Sequence, residues 1–94
     1  MAKAKVATDN RLHFWCPGCD EAHGIRYRHP FPGPDWSWNR DLERPTINPS
    51  VLVQGGSQNG RCHSYVTDGK IQFLTDCTHT LAGKTVELPD WPYS

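Results

Sequence analysis

A chain of 94 residues makes one domain with a thin core, and such a domain often needs a metal, disulfides or a partner subunit to hold it together. Ten Lys and Arg balance ten Asp and Glu, which argues against a global field drawing the protein onto nucleic acid or anionic lipid. Eight glycines and eight prolines cut the chain too finely for a sustained helical period, so the expected fold is mainly β with at most one short helical turn.

Residues 1–10, MAKAKVATDN, read as a flexible polar tail ahead of a single β-rich domain over 11–94. Lysines without an apolar run make neither a signal peptide nor a membrane anchor, and no other segment reaches membrane-spanning length. A cytoplasmic protein with reduced thiols is expected. In that setting four cysteines point to metal ligation rather than disulfides.

Leu12 to Trp15 can enter, as a short strand, the turn Cys16-Pro17-Gly18-Cys19, with His23 to Tyr27 returning. Residues 29–35, HPFPGPD, sustain neither helix nor central strand, because proline fixes φ and removes a donor. Trp36 and Trp38 share a face if their segment is extended. PTINP, residues 45–49, is an extended or turn segment. Ser50 to Gln54 suits a buried strand, and GGSQNG, residues 55–60, a loop.

The clearest local element is a hairpin over residues 62–75, with Asp68-Gly69 as a two-residue type I′ turn. That turn sets the register: Thr67 opposite Lys70, Val66 opposite Ile71, Ser64 opposite Phe73, Cys62 opposite Thr75. Alternation then puts Cys62, Val66, Ile71 and Phe73 on one face, and His63, Tyr65, Gln72 and Leu74 on the other. Continuing the second strand carries Cys77 beside Cys62. Asp76 can cap a helical turn over 77–82 that closes at Gly83, and Lys84 to Leu88 is a last strand.

Zn²⁺ in structural sites takes four ligands in a tetrahedron and favours thiolates. Cys16 and Cys19 supply two from a tight knuckle; Cys62 and Cys77 supply two from one hairpin face. Knuckle plus hairpin is the layout of a zinc ribbon. His79 is the alternative fourth ligand in place of Cys77. His63 is a weaker one, because it points to the face opposite Cys62. A thioredoxin-like redox pair needs a βαβ context that is missing. His13, His23 and His29 read as surface or core histidines, although His23 lies close enough to the knuckle to support a ligand without binding the ion.

Catalysis requires an open zinc position, beside which Asp76 and His79 would handle a proton. Ser50 and Ser64 show no triad partners by spacing. Arg26, Arg28, Arg40 and Arg44 near Trp36 and Trp38 suit stacking on nucleic acid, but Asp35, Asp41 and Glu43 nearly cancel them.

Taken in order, HFWCPGCDEAHGI, WSWN, RPTINPSVLV, CHSYVTDGKIQFL and DCTHTLAGKTVELP resemble a family of small phage and prophage proteins that often carry the label "ammonia monooxygenase". The resemblance runs from about His13 to Trp91. It implies a phage or prophage origin, a metal site and no established reaction, and it marks Cys16, Cys19, Cys62, His63, Asp76 and His79 as signature positions. The label itself does not suit the chain, since that activity belongs to a large membrane copper enzyme. The expectation is a zinc-stabilised, zinc-ribbon-like cytoplasmic module of phage origin that binds a host or phage protein. The alternatives are a small zinc-dependent hydrolase and a nucleic-acid-binding zinc ribbon.

Overall fold

The computed structural model describes residues 2–7, 10–27, 36–54 and 60–93. The proline-rich segment 29–35, Arg28 and residues 55–59 of the glycine-rich loop lie outside them. Eight strands form two antiparallel sheets, and the described residues contain no helix. The mainly β expectation holds, and the segment after Asp76 closes in turns rather than a helical turn, with Lys84 N–H on Leu81 O at 3.0 Å. No helix of the described residues is long and apolar enough to cross a membrane.

The smaller sheet runs in the order β1 (Ala4–Ala7), β2 (Arg11–Cys16), β3 (Glu21–Arg26). Its first strand corrects the expected flexible tail. Ala4 pairs with Phe14 and is buried, and Trp91 N–H reaches back to Ala2 O at 2.9 Å. Backbone pairing with β2 and burial of Ala4 together recruit this segment. Along β2 and β3, Leu12, Phe14, Cys16, His23 and Ile25 alternate into the interior.

The larger sheet has the order β4 (Ser37–Trp38), β5 (Ile47–Gln54), β6 (Arg61–Thr67), β7 (Lys70–Phe73), β8 (Thr85–Glu87). The β6–β7 hairpin has the expected register, from Thr67 opposite Lys70 to Ser64 opposite Phe73. Asp68 and Gly69 both have positive φ, 52° and 78°, as a type I′ turn demands. The hairpin tip docks onto the segment before β5: Gly69 N–H bonds Pro45 O at 3.0 Å and Asp68 N–H bonds Thr46 Oγ1 at 2.8 Å. Ile47, Val51, Cys62, Val66, Ile71 and Phe73 point inward and join the side chains of the smaller sheet in one buried cluster. Each fully buried aliphatic or aromatic side chain there contributes roughly 1.5–3 kcal/mol.

Candidate functional site

Two irregularities in the larger sheet bring three polar side chains together on its outer face. The first lies in β5. Ile47 pairs with Val66 and Val51 with Ser64, so β5 carries a bulge between them. Such bulges re-aim side chains and occur beside active sites. Ser50 sits on this bulge, after the cis Asn48–Pro49 peptide, and Trp36 Nε1–H holds its carbonyl at 3.2 Å. The Ser50 hydroxyl thereby reaches His63 Nε2 at 2.9 Å.

The second irregularity follows β7. Leu74 N–H still bonds His63 O at 2.9 Å, but the chain then turns at Thr75 and Asp76 instead of extending the strand. The turn sets Asp76 Oδ2 3.3 Å from His63 Nδ1, with Arg61 Nη1 at 3.5 Å on the same oxygen. Asp76 is therefore not a helix cap. Because Nδ1 can only donate to the carboxylate, Nε2 is left to accept the Ser50 hydroxyl proton. Ser50, His63 and Asp76 have the hydrogen-bonded geometry of a nucleophile–base–orienter chain, which is recognised by geometry rather than by sequence order. The expectation that Ser50 lacks triad partners is overturned.

Opposite His63 along β6, on the inner face, lies a thiol cluster. Ligand atoms of Cys16, Cys19, His23 and Cys62 all fall within 4.8 Å of one another, and all four residues are buried. The quartet can hold a metal ion. The Cys16-Pro17-Gly18-Cys19 knuckle closes with Asp20 N–H on Cys16 O at 2.9 Å and Cys19 N–H on the Cys16 sulfur at 3.3 Å. Cys16 and Cys62 sulfurs stand 3.7 Å apart.

His23 takes the place expected for Cys77. It pairs with Phe14, shares the inner face with Cys16, and is 3 % exposed. Its Nδ1 donates to Ala22 O at 3.2 Å, and its Nε2 is buried with no hydrogen-bond partner of its own. A backbone acceptor on one ring nitrogen, with the other ring nitrogen beside the thiols, is how a ligating histidine is oriented. The knuckle hairpin's own alternation was the signal that could have found it.

Cys77 and His79 stand apart from that quartet. With Cys62 they make a second group within 4.8 Å, because β7 ends at Phe73 and Cys77 arrives through the turn rather than along the strand. The Cys77 sulfur engages the His63 backbone. His79 Nδ1 accepts Leu81 N–H at 3.2 Å, and its ring stacks edge-on to Phe73, with centroids 4.5 Å apart, over Gly18. Asp76 meets His63 and Arg61 rather than His79.

The thiols are electrostatically unequal. Cys16 is pulled down to about 4, chiefly by its hydrogen bond with Cys62, against the opposing effect of burial and helped by His23. Burial, then the charge on Cys16, pushes Cys19 up to about 11. Cys62 is pushed up strongly, first by hydrogen bonding to Cys16 and then by burial.

Elsewhere, the Arg40 guanidinium lies over the Tyr27 and Trp38 rings at 4.7 and 5.5 Å. It covers part of the aromatic surface that the sequence suggested for base stacking.

A family model described as bacterial ubiquitination-like system serine protease (BubE) matches residues 1–74, a span that contains Ser50, His63 and the whole Cys16, Cys19, His23, Cys62 quartet and stops just short of Asp76. No curated protein and no solved structure matches the chain.

Proposed function

The chain belongs to the family of bacterial ubiquitination-like system serine proteases (BubE), and from that premise we propose that it is a serine peptidase whose nucleophile is Ser50, base His63 and orienting acid Asp76. The observation that carries this reading is the continuous hydrogen-bonded chain from Ser50 Oγ through both ring nitrogens of His63 to Asp76 Oδ2. A surface ion pair alone would not need a serine on a strand bulge aimed at an imidazole.

The chemistry follows from the tautomer. Ser50 Oγ attacks the substrate carbonyl carbon as its proton passes to His63 Nε2, and Asp76 stabilises the imidazolium without taking the proton. His63 then gives that proton to the leaving amine, and a water deprotonated by the same nitrogen hydrolyses the acyl-enzyme. Beside Ser50, the residues Trp36, Ser37, Asn48, Pro49 and Tyr65 line an open depression of about 660 Å³. Its shallow form suits an extended polypeptide rather than a side chain swallowed whole. The substrate is accordingly read as a protein of the ubiquitination-like system, which is the protein partner of this chain.

Zn²⁺ is the metal that a buried Cys₃His quartet suits best, and Cys16, Cys19, His23 and Cys62 would hold it with a closed shell in a structural role. The Asp76–His79 zinc-hydrolase alternative loses its base to the triad. Free rather than disulfide-bonded cysteines support work in a reducing compartment such as the cytoplasm.

A fluorophosphonate probe of serine hydrolases tests the proposal. It should modify Ser50, identified by peptide mass spectrometry, and modification should vanish in Ser50→Ala and fall steeply in His63→Ala. Labelling of another serine, or none under conditions in which the protein is folded and zinc-loaded, overturns it.

A further inference from the structure

We propose that Cys77 is a positioning residue for the triad: its thiol brackets the peptide of His63 and so fixes where the Asp76 carboxylate meets the imidazole. The proposal rests on the peptidase reading above and deepens it.

The argument begins with what replaces strand pairing beyond β7. Regular hairpin pairing ends where Ser64 faces Phe73, yet the β6 backbone at 61–63 still needs partners on that side. The turn supplies them piecemeal. Leu74 N–H takes His63 O. Thr78 N–H takes Arg61 O at 3.0 Å, and Thr78 Oγ1 accepts Arg61 N–H at 2.9 Å. Between these anchors the Cys77 side chain meets His63 N–H. Its sulfur accepts the amide at 3.2 Å and lies 3.3 Å from His63 O, where the S–H donates.

Cys77 is buried, with 9 % of its surface exposed, and it directly follows Asp76. Asp76 is itself partly in solvent, its side chain 39 % exposed, and its carboxylate is met by the polar tips of His63 and Arg61. Its place therefore depends on where the backbone at 76–77 is pinned. The thiol pins that backbone to the very residue whose imidazole Asp76 must meet. A shift of about 1 Å in a catalytic constellation costs on the order of a hundredfold in rate, so a weak sulfur contact on the backbone can matter to catalysis while contributing little to stability.

The same sulfur is close to Cys62, so the test must separate positioning from metal ligation. The full chain, loaded with one equivalent of zinc, is treated with a fluorophosphonate, and kinact and KI are measured alongside zinc content for wild type, Cys77→Ala and Cys77→Ser. In Cys77→Ala, kinact should fall on the order of a hundredfold with KI and zinc content unchanged. Cys77→Ser should restore most of kinact, because a hydroxyl also accepts one hydrogen bond and donates another.

A wild-type kinact in Cys77→Ala overturns the assignment. So does loss of zinc from both variants, which would make Cys77 a ligand. If Cys77→Ala does not fold, Cys77→Ser decides: retained zinc and near-wild-type kinact support the bracket, and zinc-loaded but inactive protein refutes it. Absence of Ser50 labelling in wild type refutes the peptidase reading itself, whereas labelled wild type with an indifferent Cys77 refutes only the bracket.

Discussion

Cys62 and His63 are consecutive residues of β6 that face opposite sides of the sheet: Cys62 turns inward to the Cys16, Cys19 and His23 ligand atoms, and His63 turns outward to Ser50 and Asp76. Strand alternation alone separates them. One strand thus links the quartet that can hold a metal ion to the hydrogen-bonded Ser50–His63–Asp76 chain on its other face.

That linkage makes metal removal informative. A strong chelator should lower the melting temperature, since metal-binding free energy in a domain this small is folding free energy. Ser50 labelling should decay with the loss of zinc and return when zinc is restored. Metal-free protein with an unchanged melt and unchanged labelling would contradict the linkage.

Separate substitutions should divide the two faces of β6. His23→Ala removes a ligand and should weaken zinc binding by more than about a hundredfold, the upper range for losing a mere supporting partner. His63→Ala should bind zinc as wild type does while abolishing labelling. Titration against a competing chelator checks both, and normal zinc affinity in His23→Ala would return the fourth position to Cys77 or His79.

Asp76→Asn addresses the orienting acid. An amide can donate to Nδ1 and stabilise the wrong tautomer, which is why this change is costly in established triads. The acylation rate should drop by about 10²–10⁴-fold. Folding stability should hardly move, because the Arg61–Asp76 pair is exposed and contributes about 0–1 kcal/mol. A rate within a few-fold of wild type would remove Asp76 from the triad.

Zinc uptake should release protons in a number set by the unequal thiols. At pH 7 Cys16, held at about 4, is already a thiolate. Cys19, at about 11, and Cys62, pushed up more strongly, are protonated and must lose their protons to bind. About two thiol protons should therefore leave per zinc, so affinity rises with pH and falls on acidification through the neutral range. Calorimetry in buffers of different ionisation enthalpy counts them. A count near zero or near three would mean the charge is distributed differently.

Gly69 tests the hairpin that aligns β6. Its φ is +78°, and a Cβ there would stand 3.2 Å from Arg44 Cα and 3.3 Å from Glu43 O. Gly69→Val should cost roughly 1–2 kcal/mol from the left-handed conformation alone, lowering the melting temperature by about 4–8 °C per kcal/mol in a domain of this size. Weaker zinc retention should accompany it, because Cys62 lies on the same hairpin. Full zinc affinity in a destabilised Gly69→Val would show that the cluster tolerates a displaced β6.

The hairpin was legible in the sequence because its causes are local. Asp68-Gly69 can make the turn at little cost, the turn sets the register, and alternation then assigns Cys62 inward and His63 outward without reference to any other part of the chain. The Cys16–Cys19 knuckle was legible for the same reason, and so was the mainly β character, from glycine and proline punctuation. His23 was within reach of this logic, since it lies across the knuckle from Phe14 on the inner face. Only tertiary structure decided the rest. Ser50 points at His63 because β5 bulges against β6 between Ile47 and Val51, and Asp76 returns because pairing stops at Phe73 and the turn is tied instead to Arg61 and His63. Neither event has a local signature: a bulge and a broken register are resolved by competition among packing, backbone pairing and distant hydrogen bonds, which residue spacing along one chain does not encode.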